Sequence, residues 1–303
     1  MNGMLELQIT MFALIIVGLI IRKKGIVTKT GQKELTALVI NLILPCNILK
    51  AFSAEGSNEL AGKFWMILLI SLLIQIGSVL LGRITFPRQE RPRRACLQYA
   101  IICSNAGFLG NPIAEGLYGT AGLAMASIYL LPLRIMMWSE GVAIFTEAPD
   151  KKSLVKKVAT HPCIIACAIG LVLMVTGYQI PGFLGKTVGY ISSCNTGISM
   201  LVIGMILAEA DPKALMDKTI FQYALIRLLL IPALVFIPCR LLVHDSMVVG
   251  LSVILAGMPA GATTTILASN YDGDEEFAVK LVVLSTALSI ITIPLWEILL
   301  TVL

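Results

Sequence analysis

The stretch SNAGFLGNPIAEG, from Ser104 to Gly116, sets three glycines and a proline inside an otherwise apolar run. A second stretch of the same kind, AGMPAGATTTILASNY, runs from Ala256 to Tyr271. Proline removes one backbone hydrogen bond of a helix and clashes with the preceding turn. Helix is therefore predicted to break near Gly107 to Pro112, and again at Pro259 to Gly261. The N–H and C=O groups freed by such breaks, if they lie at membrane depth, are tolerated only inside protein or along a cavity. The half-helices that follow begin with free N–H groups and partial positive charge, a setting that suits a carboxylate. Asn105, Asn111, Thr263, Thr264 and Thr265 add neutral donors and acceptors. A single interrupted helix is often just a packing kink, whereas two at matching places point to a binding site.

The rest of the chain says that these breaks do lie in a membrane. Of 303 residues, 57% are hydrophobic and 14% charged, against about 25% charged in soluble domains. The mean hydropathy is +0.89. These values exclude a water-soluble enzyme, a nucleic-acid binder and a disordered scaffold. Long unbroken apolar runs favour helices over a barrel, whose strands would alternate every second residue. With about 20 apolar residues needed per crossing, ten spans are predicted, at about 4–21, 34–52, 64–85, 95–118, 121–146, 162–178, 187–208, 219–242, 246–268 and 277–302. The first is not preceded by a basic segment and is followed by Arg22-Lys23-Lys24, so it reads as a retained span.

Seventeen Lys and Arg residues fall on odd-numbered connections, Lys213 among them, and four on even-numbered ones. The basic side is cytoplasmic, which places both termini outside. Ten spans divide into two fives, residues 1–150 and 151–303. Five is odd, so the second copy enters the membrane inverted, as in many transporters. Spans 4 and 9, the two interrupted ones, occupy corresponding places. Leu131-Pro132-Leu133 in span 5 likewise echoes Ile293-Pro294-Leu295 in span 10.

Ionisable residues at membrane depth are costly and mark function. Arg134 in span 5 and Arg227 in span 8 give a positive interior that fits an anionic ligand; alternatively each pairs with Glu140, a loop acid or a helix C-terminus and holds the fold. Glu140 is either a buried proton carrier or an ionised residue at the membrane surface. Glu6 and Glu297 lie near span ends and are expected to be solvated. Neither predicted break contains Asp or Glu, which speaks against a cation antiporter. Asn41, Asn47, Gln75, Asn195 and Gln222 either line a path or a sodium site, or bond between helices.

Seven cysteines without paired spacing argue against disulfides or a zinc site, and Cys163 with Cys167 reads as helix packing. The nearest approach to a nucleotide loop, Gly185-Lys186-Thr187, lacks its first glycine, because residue 180 is Ile180. His161 and His244 fall at opposite faces, so an intramembrane enzyme has no parts. No metal or cofactor is expected. A passive channel and a transporter-like sensor stay open beside a carrier.

Several motifs, taken in order, resemble the auxin efflux carrier family, which includes plant auxin carriers and bacterial malate permeases. They are Leu44-Pro45-Cys46-Asn47, Ser104-Asn105 through Gly110-Asn111-Pro112, Ile203 to Ala208, Arg227 to Pro232, Met258-Pro259-Ala260-Gly261, and Leu284 to Leu295. The resemblance implies an elevator-type secondary carrier with crossed broken helices. Spans 1, 2, 6 and 7 would be its scaffold, and spans 3–5 and 8–10 its transport domain. It further implies an organic anion such as malate or an auxin-like acid, and a homodimer. The cytoplasmic membrane is the expected location, and a proton or a sodium ion is a candidate for coupling that the sequence leaves open. Asn105 matches the family's substrate-contacting asparagine and Pro259 its span 9 proline. Asn47, Asn111, Pro112, Thr263 and Thr264 complete the candidate substrate site. Thr264 falls where plant carriers have a second proline, which makes an indole substrate less fitting; their long cytoplasmic loop is absent, so regulation through such a loop is not expected.

Overall fold

The computed structural model describes residues 2–53, 61–146, 151–208, 217–271 and 273–302. The repeat boundary expected at residue 150, and Lys213, lie outside them. All regular elements among the described residues are helices. In chain order these are α1 (Asn2–Lys23), α2 (Lys29–Phe52), α3 (Ala61–Ile84), α4 (Arg91–Ile102), α5 (Asn111–Trp138), α6 (Glu140–Phe145), α7 (Lys151–Ala159), α8 (Pro162–Thr176), α9 (Gly182–Leu207), α10 (Lys218–Leu242), α11 (Ser246–Ala256), α12 (Thr263–Asn270) and α13 (Glu275–Val302). Six helical stretches among the described residues are long and apolar enough to cross a membrane, while α8 and α11 are apolar but shorter.

Three wide, π-type turns share one cause. Val39–Ile43 precedes Pro45, Ala106–Gly110 precedes Pro112, and Ile226–Leu230 precedes Pro232. Each proline cannot donate to the turn before it, and widening that turn relieves the clash. Carbonyls within two of these turns are met by side chains. Cys163 Sγ lies 3.7 Å from the Ile40 carbonyl, and Trp296 Nε1 donates to the Leu228 carbonyl at 2.9 Å.

The chain forms two compact units. The first comprises the described residues within Met1–Ile67, Gly107–Ile128 and Ala159–Ala208. Its α1 and α9 touch backbone to backbone: a Cβ on Gly18 would overlap the Leu201 carbonyl, and one on Gly204 the Ile15 carbonyl. Small residues permit such contact between membrane helices. Gly119, at φ 64° and ψ −155°, turns the chain inside α5, so that 111–118 and 120–138 are separate helical pieces.

The second unit comprises the described residues within Leu68–Ala106, Tyr129–Val158 and Glu209–Leu303. One guanidinium fastens three helices at one end. Arg93 on α4 pairs with Asp274 at 3.1 Å and Asp217 at 3.9 Å, and lies 5.0 Å above the Phe277 ring. Asp217 accepts from the Thr219 N–H of α10 at 2.8 Å, and Asp274 from the Phe277 N–H of α13 at 3.0 Å.

Two expectations need correction. The first break precedes the glycines: Cys103 to Asn105 leave the helix, 106–110 form the wide turn, and Pro112 lies in the first turn of α5. The wide turn before it accommodates Pro112 without a break, as it does before Pro45 and Pro232. Glu297, expected in water, is 1% exposed, since its turn of α13 packs inward; Glu6 is exposed as expected.

Candidate functional site

In the second unit, α4 ends at Ile102 and α11 at Ala256, and the chain segments that follow them pair with each other. Ser104 and Ala260 form an antiparallel bridge. The Asn105 N–H donates to the Pro259 carbonyl at 2.8 Å, and the Gly261 N–H to the Cys103 carbonyl at 3.3 Å. A Cβ on Gly261 would lie 3.2 Å from Thr263 Oγ1, 3.3 Å from the Ser104 carbonyl and 3.4 Å from that of Cys103. Glycine therefore lets the two segments approach. The break at 259–261 lies where the sequence places it.

Four further backbone groups at the crossing are met by side chains around it. Arg227, inside the wide turn of α10 and 3% exposed, donates from Nε to the Met258 carbonyl and from Nη1 to the Ile101 carbonyl, each at 2.8 Å. A cation thus sits against the negative C-terminal ends of two half-helices. Tyr223 donates its hydroxyl to the Ala100 carbonyl at 3.0 Å. The Ala260 N–H donates to Ser285 Oγ at 3.1 Å, and Tyr99 OH bonds Thr263 Oγ1 at 2.9 Å. Buried backbone groups left unpaired would be costly, and here both α4 and α11 end on designated partners.

What is left for a ligand is neutral. Asn105 is buried with its backbone fixed. Ser104 Oγ and Thr264 Oγ1 are buried without a hydrogen-bond partner among the described residues. Residues 103–106 and 257–265 contain no carboxylate, and the charge of Arg227 is committed to the two carbonyls. Arg134 is also buried in this unit. Glu140 bonds Arg83 at 2.6 Å with both side chains partly exposed, which is the surface alternative rather than the buried one. An apolar groove of about 500 Å³ between α3 and α10, lined among others by Leu73, Leu80 and Leu234, includes none of the crossing residues.

The other candidates belong to the first unit. Asn111 is wholly buried at the start of α5, with neither Oδ1 nor Nδ2 hydrogen-bonded among the described residues; Pro112 follows it and is buried too. Asn47 is wholly buried in a cluster with Ser192, Asn195 and Ser199 of α9. Its Nδ2 donates to Ser192 Oγ at 3.0 Å and reaches Glu115 Oε2 at 3.5 Å, and its Oδ1 accepts from Asn195 Nδ2 at 3.4 Å. Glu115 is the residue that the sequence reading misses. Its signal, an acid four residues after Asn111 in an apolar run, lies just past the predicted break.

Apolar helices interrupted at two points that pair through their backbones define a multi-pass membrane protein of the transporter class. Comparison with known proteins gives the family. The model for "Membrane transport protein" matches residues 4–297, and the chain belongs to this family, the auxin efflux carriers that its motifs resemble. An uncharacterized transporter of Methanocaldococcus jannaschii is 25% identical over 96% of this chain and 97% of its own. A protein of Rhizobium meliloti named "Putative malonate transporter" is 22% identical over 86% of this chain and 84% of its own. An uncharacterized transporter of Escherichia coli K12 is 22% identical over 86% and 85%. The protein is a membrane transporter of a small molecule, not an enzyme.

Proposed function

We propose that the protein is a secondary active carrier of small organic carboxylates, working by alternating access in the cytoplasmic membrane. The observation that carries this reading is the paired crossing of 103–105 with 259–261. It holds Asn105 and two hydroxyls that have no hydrogen-bond partner among the described residues, in a buried setting whose own segments carry no acid. Such a setting holds a carboxylate through hydrogen bonds and helix ends, and the Rhizobium relative's name favours short dicarboxylates of the malonate and malate kind.

Both crossing segments belong to one compact unit, which supports an elevator in which that unit carries the substrate. Helices α1, α2, α8 and α9 of the other unit then form the scaffold that joins two copies into a homodimer, while α5, whose residues divide between the two units, moves with the substrate. Ten spans in two inverted fives, with both termini outside, complete the proposal and rest on the distribution of Lys and Arg.

Calorimetric titration of malonate and malate into the detergent-purified protein tests the site. Saturable binding is expected, about tenfold weaker in Asn105→Ala at unchanged melting temperature, the effect of losing one hydrogen bond to a charged group. Equal affinity in the two proteins removes Asn105 from the site.

A further inference from the structure

We propose that Glu115, with Asn111 and Asn47, forms a site for a small monovalent cation, proton or sodium ion, whose binding drives the carboxylate; this rests on the carrier reading above. Glu115 is a half-buried acid in a mostly apolar helix of the first unit, where a charge without a counter-charge is costly. Among the described residues no Lys or Arg forms an ion pair with it. The charged groups closest along the neighbouring helices are Glu6 on α1, Lys50 on α2 and Lys186 on α9, while α8 has none. The remaining charges of α1 and α2 are Arg22, Lys23, Lys29, Lys33 and Glu34, all far along their helices from the residues that meet α5.

The hydrogen bonds around Glu115 run one way. Ser199 Oγ donates to Asn195 Oδ1 at 3.3 Å, Asn195 donates to Asn47, and Asn47 donates toward Glu115. Asn47, Asn195 and Ser199 are each 0% exposed. The chain of donors fixes the orientation of the Asn47 amide and ends on the carboxylate.

A second observation is independent of that chain. Asn111 lies four residues before Glu115, on the same face of α5, wholly buried with its amide oxygen and nitrogen unbonded among the described residues. Buried amide atoms without partners are costly, so such a group is held ready for a ligand. An amide oxygen and a carboxylate one turn apart are the hard oxygen donors a sodium ion takes. A proton instead adds to a carboxylate oxygen and leaves the amide to bond the neutral acid. Either cation cancels the charge of Glu115, and a carrier that releases an anion together with a cation must bind both.

The test uses the intact protein in liposomes, with labelled malonate uptake measured under an imposed pH gradient, under an imposed sodium gradient, and as counterflow without a gradient. Wild type is expected to respond at least tenfold to one gradient, which names the cation. In Glu115→Gln, which keeps the side-chain shape, the ratio of gradient-driven to counterflow uptake is expected to fall to about one. A ratio like that of wild type in Glu115→Gln overturns the proposal, as does wild-type counterflow that no gradient stimulates. The melting temperature of the carboxylate-free protein, read against sodium at constant ionic strength and against pH, separates this site from the carrier reading. Should no carboxylate exchange be found, a sodium- or pH-dependent shift lost in Glu115→Gln still upholds the cation site. A curve identical in the two proteins then overturns it.

Discussion

The crossing in the second unit and the amide cluster in the first both bury polar groups among apolar helices, with different materials. The crossing is built from backbone: carbonyls and N–H groups of 103–105 and 258–261 pair with each other, with Arg227 and with Ser285. The cluster is built from side chains of intact helices, Asn47, Ser192, Asn195 and Ser199, and it ends on a carboxylate. A backbone site is fixed by chain geometry and offers neutral donors, which suits an anion. A side-chain site can hold a charge that a small cation cancels.

Substitutions that separate the two sites sharpen this contrast. The largest effect is expected for Arg227→Ala, which leaves two buried carbonyls without donors. Each bond to a charged group is worth roughly 1.5–3 kcal/mol, so melting should drop sharply and transport should be lost. Arg227→Lys, with a compact ammonium in place of the planar fork, should recover only part. If Arg227→Ala melts like wild type, the crossing is not held as described. Gly261→Ala should come next, at about 1–3 kcal/mol by overpacking, reducing carboxylate binding more than melting temperature. Equal loss of both would mean that the close approach serves folding alone.

Asn47→Ala removes the centre of the amide cluster and should lower stability by about 1–2 kcal/mol, read by thermal melting, and should weaken gradient-driven uptake, with malonate affinity at fixed pH and sodium little changed. A large loss of affinity instead would return Asn47 to the substrate site. The smallest effect is expected for Glu140→Gln. The partner of Glu140 is 64% exposed, and such pairs contribute less than about 1 kcal/mol. Gradient-driven uptake should survive it, and loss of that drive would restore Glu140 as the proton carrier.

Much of this was readable in the sequence because membranes impose local rules. Composition announced apolar helices, and Pro259-Ala260-Gly261 marked the second break where it occurs. Pro112 misled because a widened turn lets a helix pass a proline without breaking, and nothing local distinguishes that turn from a break. The pairing of Asn105 with Pro259 joins residues far apart in the chain and leaves no mark near either. Arg227 was legible as a deep cation, and a helix C-terminus was among its expected partners. Which carbonyls it meets depends on where α4 and α11 end. Glu297 was placed in water by its position near a span end, although tertiary packing buries it. Glu115 stood in the quoted stretch, and its importance emerges only when Asn47 of α2 comes to face it.

The central claim is that the crossing carries a carboxylate across the membrane. Counterflow shows this most directly: liposomes holding the purified protein are preloaded with unlabelled malonate, and entry of labelled malonate is followed in wild type and Asn105→Ala. The account predicts saturable uptake stimulated by the internal anion and strongly reduced in the variant. Uptake that neither saturates nor responds to internal malonate, or that is the same in folded Asn105→Ala, would contradict it.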